Sequence, residues 1–139
     1  MHYETIHITE IDGFEIRTQV TPEFIHPRDL FDDTVDDIDQ ICRDIEAARL
    51  EWFIAKVSAH KAGVELAADY LGGCLYTDAL QFVRDNDYYA DMSATVIAEA
   101  KTKIQELAGV QTMQTITEII AGFIGFLIMW AFLFVLLSF

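Results

Sequence analysis

The sequence has few basic residues for its size. Its 139 residues include 23 Asp and Glu but only 9 Lys and Arg, which gives a formal net charge of −14 at pH 7. A nucleic-acid backbone and an anionic membrane surface both attract clusters of Lys and Arg. The composition therefore argues against direct nucleic-acid binding and leaves open a basic protein partner or a protein that itself binds DNA.

Cysteine is also scarce, and no targeting segment is visible at the front. Cys42 and Cys74 are too few for a disulfide framework and do not form a CxxC metal pair, so we expect reduced, buried thiols. The opening MHYETIHITEIDGFEIRT has neither a basic n-region nor an apolar h-region, which predicts no secretory signal peptide. We expect the acidic part of the chain to stay in the cytoplasm.

No catalytic motif stands out in the sequence. There is no GxSxG, P-loop, dinucleotide or HExxH pattern, and His60 is expected to be a buried core histidine. The run from Asp85 to Asp87 departs from a calcium loop, because Ala90 and Val96 stand where Gly and Glu are needed. We therefore predict no enzymatic activity and no cofactor.

Acidic and aromatic residues supply the candidate partner surface. The run DDTVDDID allows a divalent-cation site or a solvated helix face. Mg²⁺ sites usually draw carboxylates from different elements, which favours the solvated face. Together with two aromatic side chains of the kind that anchor interfaces, the candidate contact residues are Asp32, Asp33, Asp36, Asp37, Trp52 and Tyr88.

Alternation of apolar residues predicts a β-hairpin over residues 3–20. Asp12-Gly13 suits the positive φ angles of its turn, and one face carries Phe14, Ile16, Thr18 and Val20. Helical spacing predicts helices at about 32–48, 50–71 and 88–108.

Each predicted helix has an apolar stripe of its own. The first has Val35, Ile38, Ile41, Cys42 and Ile45, the second Phe53, Val57, His60, Val64, Ala67 and Leu71, and the third Tyr89, Met92, Val96, Ala100, Ile104 and Leu107. Gly72-Gly73 is expected to end the second helix. The predicted fold is α+β: a hairpin on a small helical bundle in residues 1–110, followed by a C-terminal transmembrane helix within 111–139.

Charge is absent after Glu118. The segment IIAGFIGFLIMWAFLFVLLSF, Ile119–Phe139, is about 30 Å long as a helix, which is the thickness of the bilayer hydrocarbon. A core helix and a seam between several copies are the alternatives, but the apolar residues on every side favour a membrane span. The residues expected to span it include Ile119, Ile120, Phe123, Phe126, Leu127, Trp130, Phe134 and Leu137.

Orientation and self-association follow from residues near and within this segment. Lys101 and Lys103 lie on its N-terminal side and predict that the acidic domain faces the cytoplasm. Because nothing follows the segment, it is expected to insert as a tail anchor. The small residues Ala121, Gly122 and Gly125 predict a contact between two helices, and hence a homo-oligomer.

The stretch LEWFIAKVSAHKAGVELAADYLGGCLY, followed by DYYADM and an Ala/Glu/Lys-rich helix, resembles a known group of proteins. These are small uncharacterised proteins of phages, prophages and mobile elements of proteobacteria, with a YLGGC-like turn and a YADM-like helix start. The resemblance covers Leu50–Leu107. It implies a mobile-element context and no mechanism.

Three functions fit these observations. The first is a tail-anchored accessory protein whose cytoplasmic acidic domain binds a host or phage protein. The second is a virion structural protein whose C-terminal helix sits in a lipid layer or an inter-subunit seam. The third is an acidic decoy that inhibits a DNA-binding or defence protein.

Overall fold

The computed structural model describes residues 2–32, 37–84 and 87–137, apart from the side chains of Leu127 and residues 130–137. The chain divides into two compact units, Met1–Lys101 and Thr102–Phe139. The first is an α+β domain and the second is helical, so the α+β class and the long C-terminal helix are confirmed.

The first unit is built on a four-stranded antiparallel sheet in the order β1-β2-β3-β4. Its strands are β1 (Glu4–Ile11), β2 (Phe14–Pro22), β3 (Glu51–Lys61) and β4 (Val64–Tyr76). Consecutive strands pair throughout, so every strand connection in the sheet joins neighbours.

The predicted N-terminal hairpin is confirmed. Ile11 pairs with Phe14 across the turn, and Asp12 and Gly13 have φ angles of 54° and 75°. Two successive residues in the left-handed region are typical of a type I′ turn, whose twist matches that of the flanking strands. The alternation on β2 is also confirmed, since Phe14, Ile16 and Thr18 are buried.

The helix predicted over residues 50–71 is wrong, because this stretch forms the β3–β4 hairpin. Lys61 pairs with Val64, and Ala62 and Gly63 lie between them with φ angles of 51° and 77°. Phe53 and Val57 of the predicted stripe are four residues apart, a spacing that also fits a strand, and Ala55 and Ala59 complete the alternation. Alanine is compatible with both structures, so the pattern did not separate them.

Gly72-Gly73 forms a bulge in β4 and not a helix stop. One residue of β3, Ile54, lies opposite this glycine pair in the register. Gly73 has a φ angle of 68°, which a residue with a side chain rarely adopts. Its N–H donates to Glu23 Oε2 at 3.1 Å, so a carboxylate from the end of β2 holds the bulge.

One face of the sheet carries the core. Alternate positions of β2 and β3 place apolar residues on this inner face, and α3 (Ala79–Arg84) and the start of α4 (Asp87–Leu137) supply the rest. The buried residues include Ile16, Phe53, Ala55, Val57, Ala59, Phe82, Met92, Val96 and Ala100.

Between β2 and β3 the described residues form two helices, of which the second confirms part of the helix predicted over 32–48 and the first was not predicted. They are α1 (Pro27–Leu30) and α2 (Ile38–Glu46). The predicted apolar stripe is present in α2, where Ile38 is buried, while Val35 lies outside the described residues. The N-cap is Asp37, whose side chain accepts a hydrogen bond from the Gln40 N–H at 3.1 Å.

The predicted helix at 88–108 is the first part of α4, which runs on through Gly109. Its predicted inner stripe is confirmed at Met92, Val96 and Ala100, while Leu107 is exposed. Glycine weakens a helix interior by only ~1 kcal/mol, too little to end a helix of this length.

The second unit begins within α4. The large apolar side chains described here are exposed from Leu107 to Met129, which does not fit the core-helix alternative. In the part of the chain that the structure describes, we find no helix whose length and apolar character suffice to cross a membrane. The transmembrane assignment of 111–139 therefore remains a prediction from the sequence.

Replacing Ala62 by Asn tests the β3–β4 turn. Asn-Gly is the preferred pair of a type I′ turn, because Asn adopts positive φ more readily than Ala. We expect Ala62→Asn to raise the free energy of unfolding by ~0.5–1 kcal/mol. Urea unfolding of the full chain in detergent micelles measures it.

The control for this variant is Ala98→Asn, at an exposed position of α4. It should lower the free energy of unfolding by ~0.5 kcal/mol, the helix-propensity difference between Ala and Asn. A loss of similar size from both variants would contradict the hairpin and restore the helix.

Candidate interaction surfaces

The predicted acidic surface is only partly described. Asp32 and Asp37 are exposed, and Asp37 caps α2, while Asp33 and Asp36 lie outside the described residues. Among the described residues no group of three or more His, Cys, Asp and Glu side chains is placed to hold a metal ion.

The two predicted aromatic contact residues have different surroundings. Trp52 is half-buried: its indole N–H donates to the Ile25 carbonyl at 2.9 Å, and its ring centroid lies 5.4 Å from that of Phe31. This side chain therefore packs the segment after β2 onto the sheet. Tyr88 is 62% exposed at the start of α4 and presents its ring at the surface.

The C-terminal candidate residues fall within α4. Ile119, Ile120, Phe123 and Phe126 are exposed, and for Leu127, Trp130, Phe134 and Leu137 only the helical backbone is described. Ala121, Gly122 and Gly125 are exposed too. A methyl group added at either glycine would meet no described atom within 4 Å, so another helix has room to approach closely here.

Sequence reasoning missed a polar cluster on the outer face of the sheet. His60 Nε2 lies 2.9 Å from Ser58 Oγ and 3.7 Å from Glu65 Oε2. Lys56 donates to the same Glu65 oxygen at 2.7 Å, and the rings of Tyr3 and Tyr70 flank its ammonium group. The signal was present as alternation along β3, but the helix assignment hid it.

Burial limits what this cluster can do chemically. Ser58 is 0% exposed and His60 is 7% exposed, so the hydroxyl is not open to a substrate despite its hydrogen bond to an imidazole. Burial lowers the pKa of His60, and the nearby Arg17 charge acts in the same direction, outweighing the opposite effect of Glu65. His60 is therefore neutral at pH 7, and the Lys56–Glu65 ion pair links β3 to β4.

Cys74 is not placed for nucleophilic chemistry. Both cysteines are free; Cys74 is buried as expected, whereas Cys42 is half-buried. Burial raises the pKa of the Cys74 thiol to about 11, which keeps it protonated at neutral pH.

The first turns of α4 run alongside the edge strand β1. The ring centroids of Tyr89 and His7 are 6.3 Å apart, and Lys101 Nζ donates to Asp12 Oδ2 at 2.9 Å. From His7 to Asp12 the strand rises about 17 Å, and from Tyr89 to Lys101 the helix rises about 18 Å. The helix and the strand therefore keep the same direction over this length.

A groove lies beside the β1–β2 turn and this part of α4. Its volume is about 540 Å³, which is within the range of ligand-binding clefts. Ile11 and Asp12 line it from the hairpin, and α4 lines it with Tyr89, Ala90, Ser93, Ala94, Ile97, Ala98 and Lys101. The sequence pattern predicted Tyr89 as an inward residue but gave no indication of the groove.

Replacing His60 by Gln tests the neutral histidine. Because its pKa in the folded state lies below the ordinary ~6.5, the unfolded chain binds a proton more readily. The contribution of His60 to the free energy of unfolding should therefore be constant above pH 7 and fall as the pH drops from 6.5 to 5, by at most ~1.4 kcal/mol per pH unit. His60→Gln should remove that fall in urea unfolding measurements.

His2→Gln, at an exposed position, is the matched control and should keep the fall. Asp39 and Asp44 have lowered pKa values owing first to their hydrogen bonds with Arg28 and Arg49, so they titrate below this window. An unchanged pH dependence in His60→Gln would show that the histidine is not held neutral.

No family model, curated protein or solved structure matches this chain.

Proposed function

We propose that the chain is a membrane-anchored binding protein. The segment Ile119–Phe139 holds it at a lipid bilayer, and the acidic α+β domain faces the cytoplasm, where it binds another protein. The observation that carries this proposal is the uncharged C-terminal segment itself, because no Asp, Glu, Lys or Arg follows Glu118.

The energetics of insertion support the anchor. On insertion scales each Leu, Ile, Phe or Val favours a helix centre by ~0.3–0.6 kcal/mol, so the segment contributes on the order of 4–8 kcal/mol. The exposed apolar side chains of α4, such as Phe123 and Phe126, need a lipid or protein covering in water.

The character of the first unit supports a binding role for the domain. In the polar cluster on the outer face of its sheet, Ser58 and His60 are buried and contact each other. The excess of acidic residues gives it a strong negative field that attracts basic partners from a distance. The resemblance of Leu50–Leu107 to small phage and prophage proteins supports an accessory role in a mobile element.

Lysine substitutions test the anchor in the full chain. Each Lys near a membrane-helix centre costs ~2.5–3.5 kcal/mol, so the triple variant Ile124→Lys, Phe126→Lys, Met129→Lys should cancel the insertion energy. We expect the wild-type chain to stay in the membrane pellet after alkaline carbonate extraction and the variant to move to the supernatant.

The matched control carries Val110→Lys, Met113→Lys and Ile116→Lys, which are exposed positions outside the uncharged segment. It should remain in the pellet. Release of the wild-type chain by carbonate as a defined oligomer would refute the anchor and favour a helical seam between copies, as in a virion component.

A further inference from the structure

β1 has an edge that no described strand occupies. The sheet order places β1 at one end, where it pairs with β2 alone. An edge strand presents unpaired backbone N–H and C=O groups, which are a template for another extended chain. The register shift between Thr5 and His7 interrupts this edge, so its regular part runs from His7 to Ile11.

The groove beside the β1–β2 turn meets that edge at its C-terminal end, where Ile11 and Asp12 line it. On its helix side Ala90, Ala94 and Ala98 are exposed and spaced one turn apart, so they leave room for side chains of an added strand. The length shared by the strand and the helix, about 17 Å, corresponds to five or six residues of extended peptide.

Two hydroxyl groups at the groove are unsatisfied. Ser93 is 4% exposed, and neither its Oγ nor the Tyr89 hydroxyl has a hydrogen-bond partner among the described residues. A buried hydroxyl without a partner is unfavourable by ~1–3 kcal/mol, which a polar group arriving in the groove offsets. These side chains distinguish the groove from a purely apolar surface.

The net negative charge of the domain indicates the charge of the partner. The chain carries 23 acidic and 9 basic residues, and several of the basic side chains already pair with carboxylates, as Lys101 does with Asp12 at one end of the groove. Glu10 on β1 and Asp91 on α4 are exposed nearby. An approaching peptide therefore meets a negative field, which favours Lys and Arg.

We infer that this groove binds an extended, basic peptide segment of a partner protein, which adds to β1 as a fifth strand. Backbone hydrogen bonds to β1 supply affinity, as in other cases of strand addition. Alternate small or aliphatic side chains of the peptide pack against Ala90, Ala94 and Ala98, and the intervening basic side chains face solvent and the acidic surface.

This inference rests on the proposed binding role and names the chemistry of its partner. It does not depend on the membrane anchor, so the two are tested separately. Peptide binding by the full chain in dodecyl maltoside micelles reports on the groove, whereas carbonate extraction reports on the anchor.

Selection from a random 12-residue peptide library on the full chain in micelles is the first experiment. We expect enriched peptides that alternate aliphatic residues with Lys or Arg, and whose affinity falls as salt rises. Recovery of no binding peptide, or only of peptides without basic residues, would overturn the inference.

Ala94→Trp then tests the location of the site. The indole fills the groove, and we expect the affinity for the strongest selected peptide to fall by at least about tenfold, or ~1.4 kcal/mol. Thr95→Trp is the matched control, an exposed neighbour outside the groove that should bind as the wild type does. Equal binding by both variants would place the peptide elsewhere.

N-methylation of the peptide tests strand addition without altering the protein. Two peptides are compared, each methylated at every second backbone nitrogen. In the first peptide the methyl groups replace the N–H groups that face β1, and in the second they replace the N–H groups that face solvent. We expect the first peptide to lose binding and the second to keep it. Equal affinity for both peptides would refute strand addition even if Ala94→Trp failed to fold.

Discussion

The burial of one face of the β-sheet is the constraint on which the rest of the structure depends. Alternation along β2 and β3 places Ile16, Phe53 and Val57 on the inner face and charged residues such as Lys56 on the other. The inner face carries most of the large apolar side chains, and α3 and the start of α4 cover it. Because α4 runs beside β1 to provide this cover, the same packing forms the groove at the sheet edge.

Local signals in the sequence were sufficient where a single structure fitted them. Asp12-Gly13 between two alternating runs predicted the first hairpin, and the stripe of Met92, Val96 and Ala100 predicted the start of α4. The stretch from Leu50 to Leu71 has a helical stripe, but Phe53, Ala55, Val57 and Ala59 also alternate as in a strand, and alanine suits both structures. Pairing with β2 decides between them, and this long-range contact leaves no local signal.

The candidate sites depend still more on tertiary structure. The groove requires β1 and α4 to lie together, although His7 and Tyr89 are far apart in the sequence. Ser58, His60 and Glu65 form a cluster only once the β3–β4 register is known. By contrast, the uncharged segment after Glu118 is visible in the sequence alone, and its exposed apolar side chains are a local property of a helix.

The most direct test of this account is whether α4 packs beside β1 on a sheet that contains the β3–β4 hairpin. Isotope-edited NOE spectra of the full chain in micelles measure this. The account predicts NOEs between the His7 and Tyr89 rings and across the strands between Ala59 and Ala67. Helical NOEs between residues three apart over Leu50–Leu71, without these contacts, would contradict it.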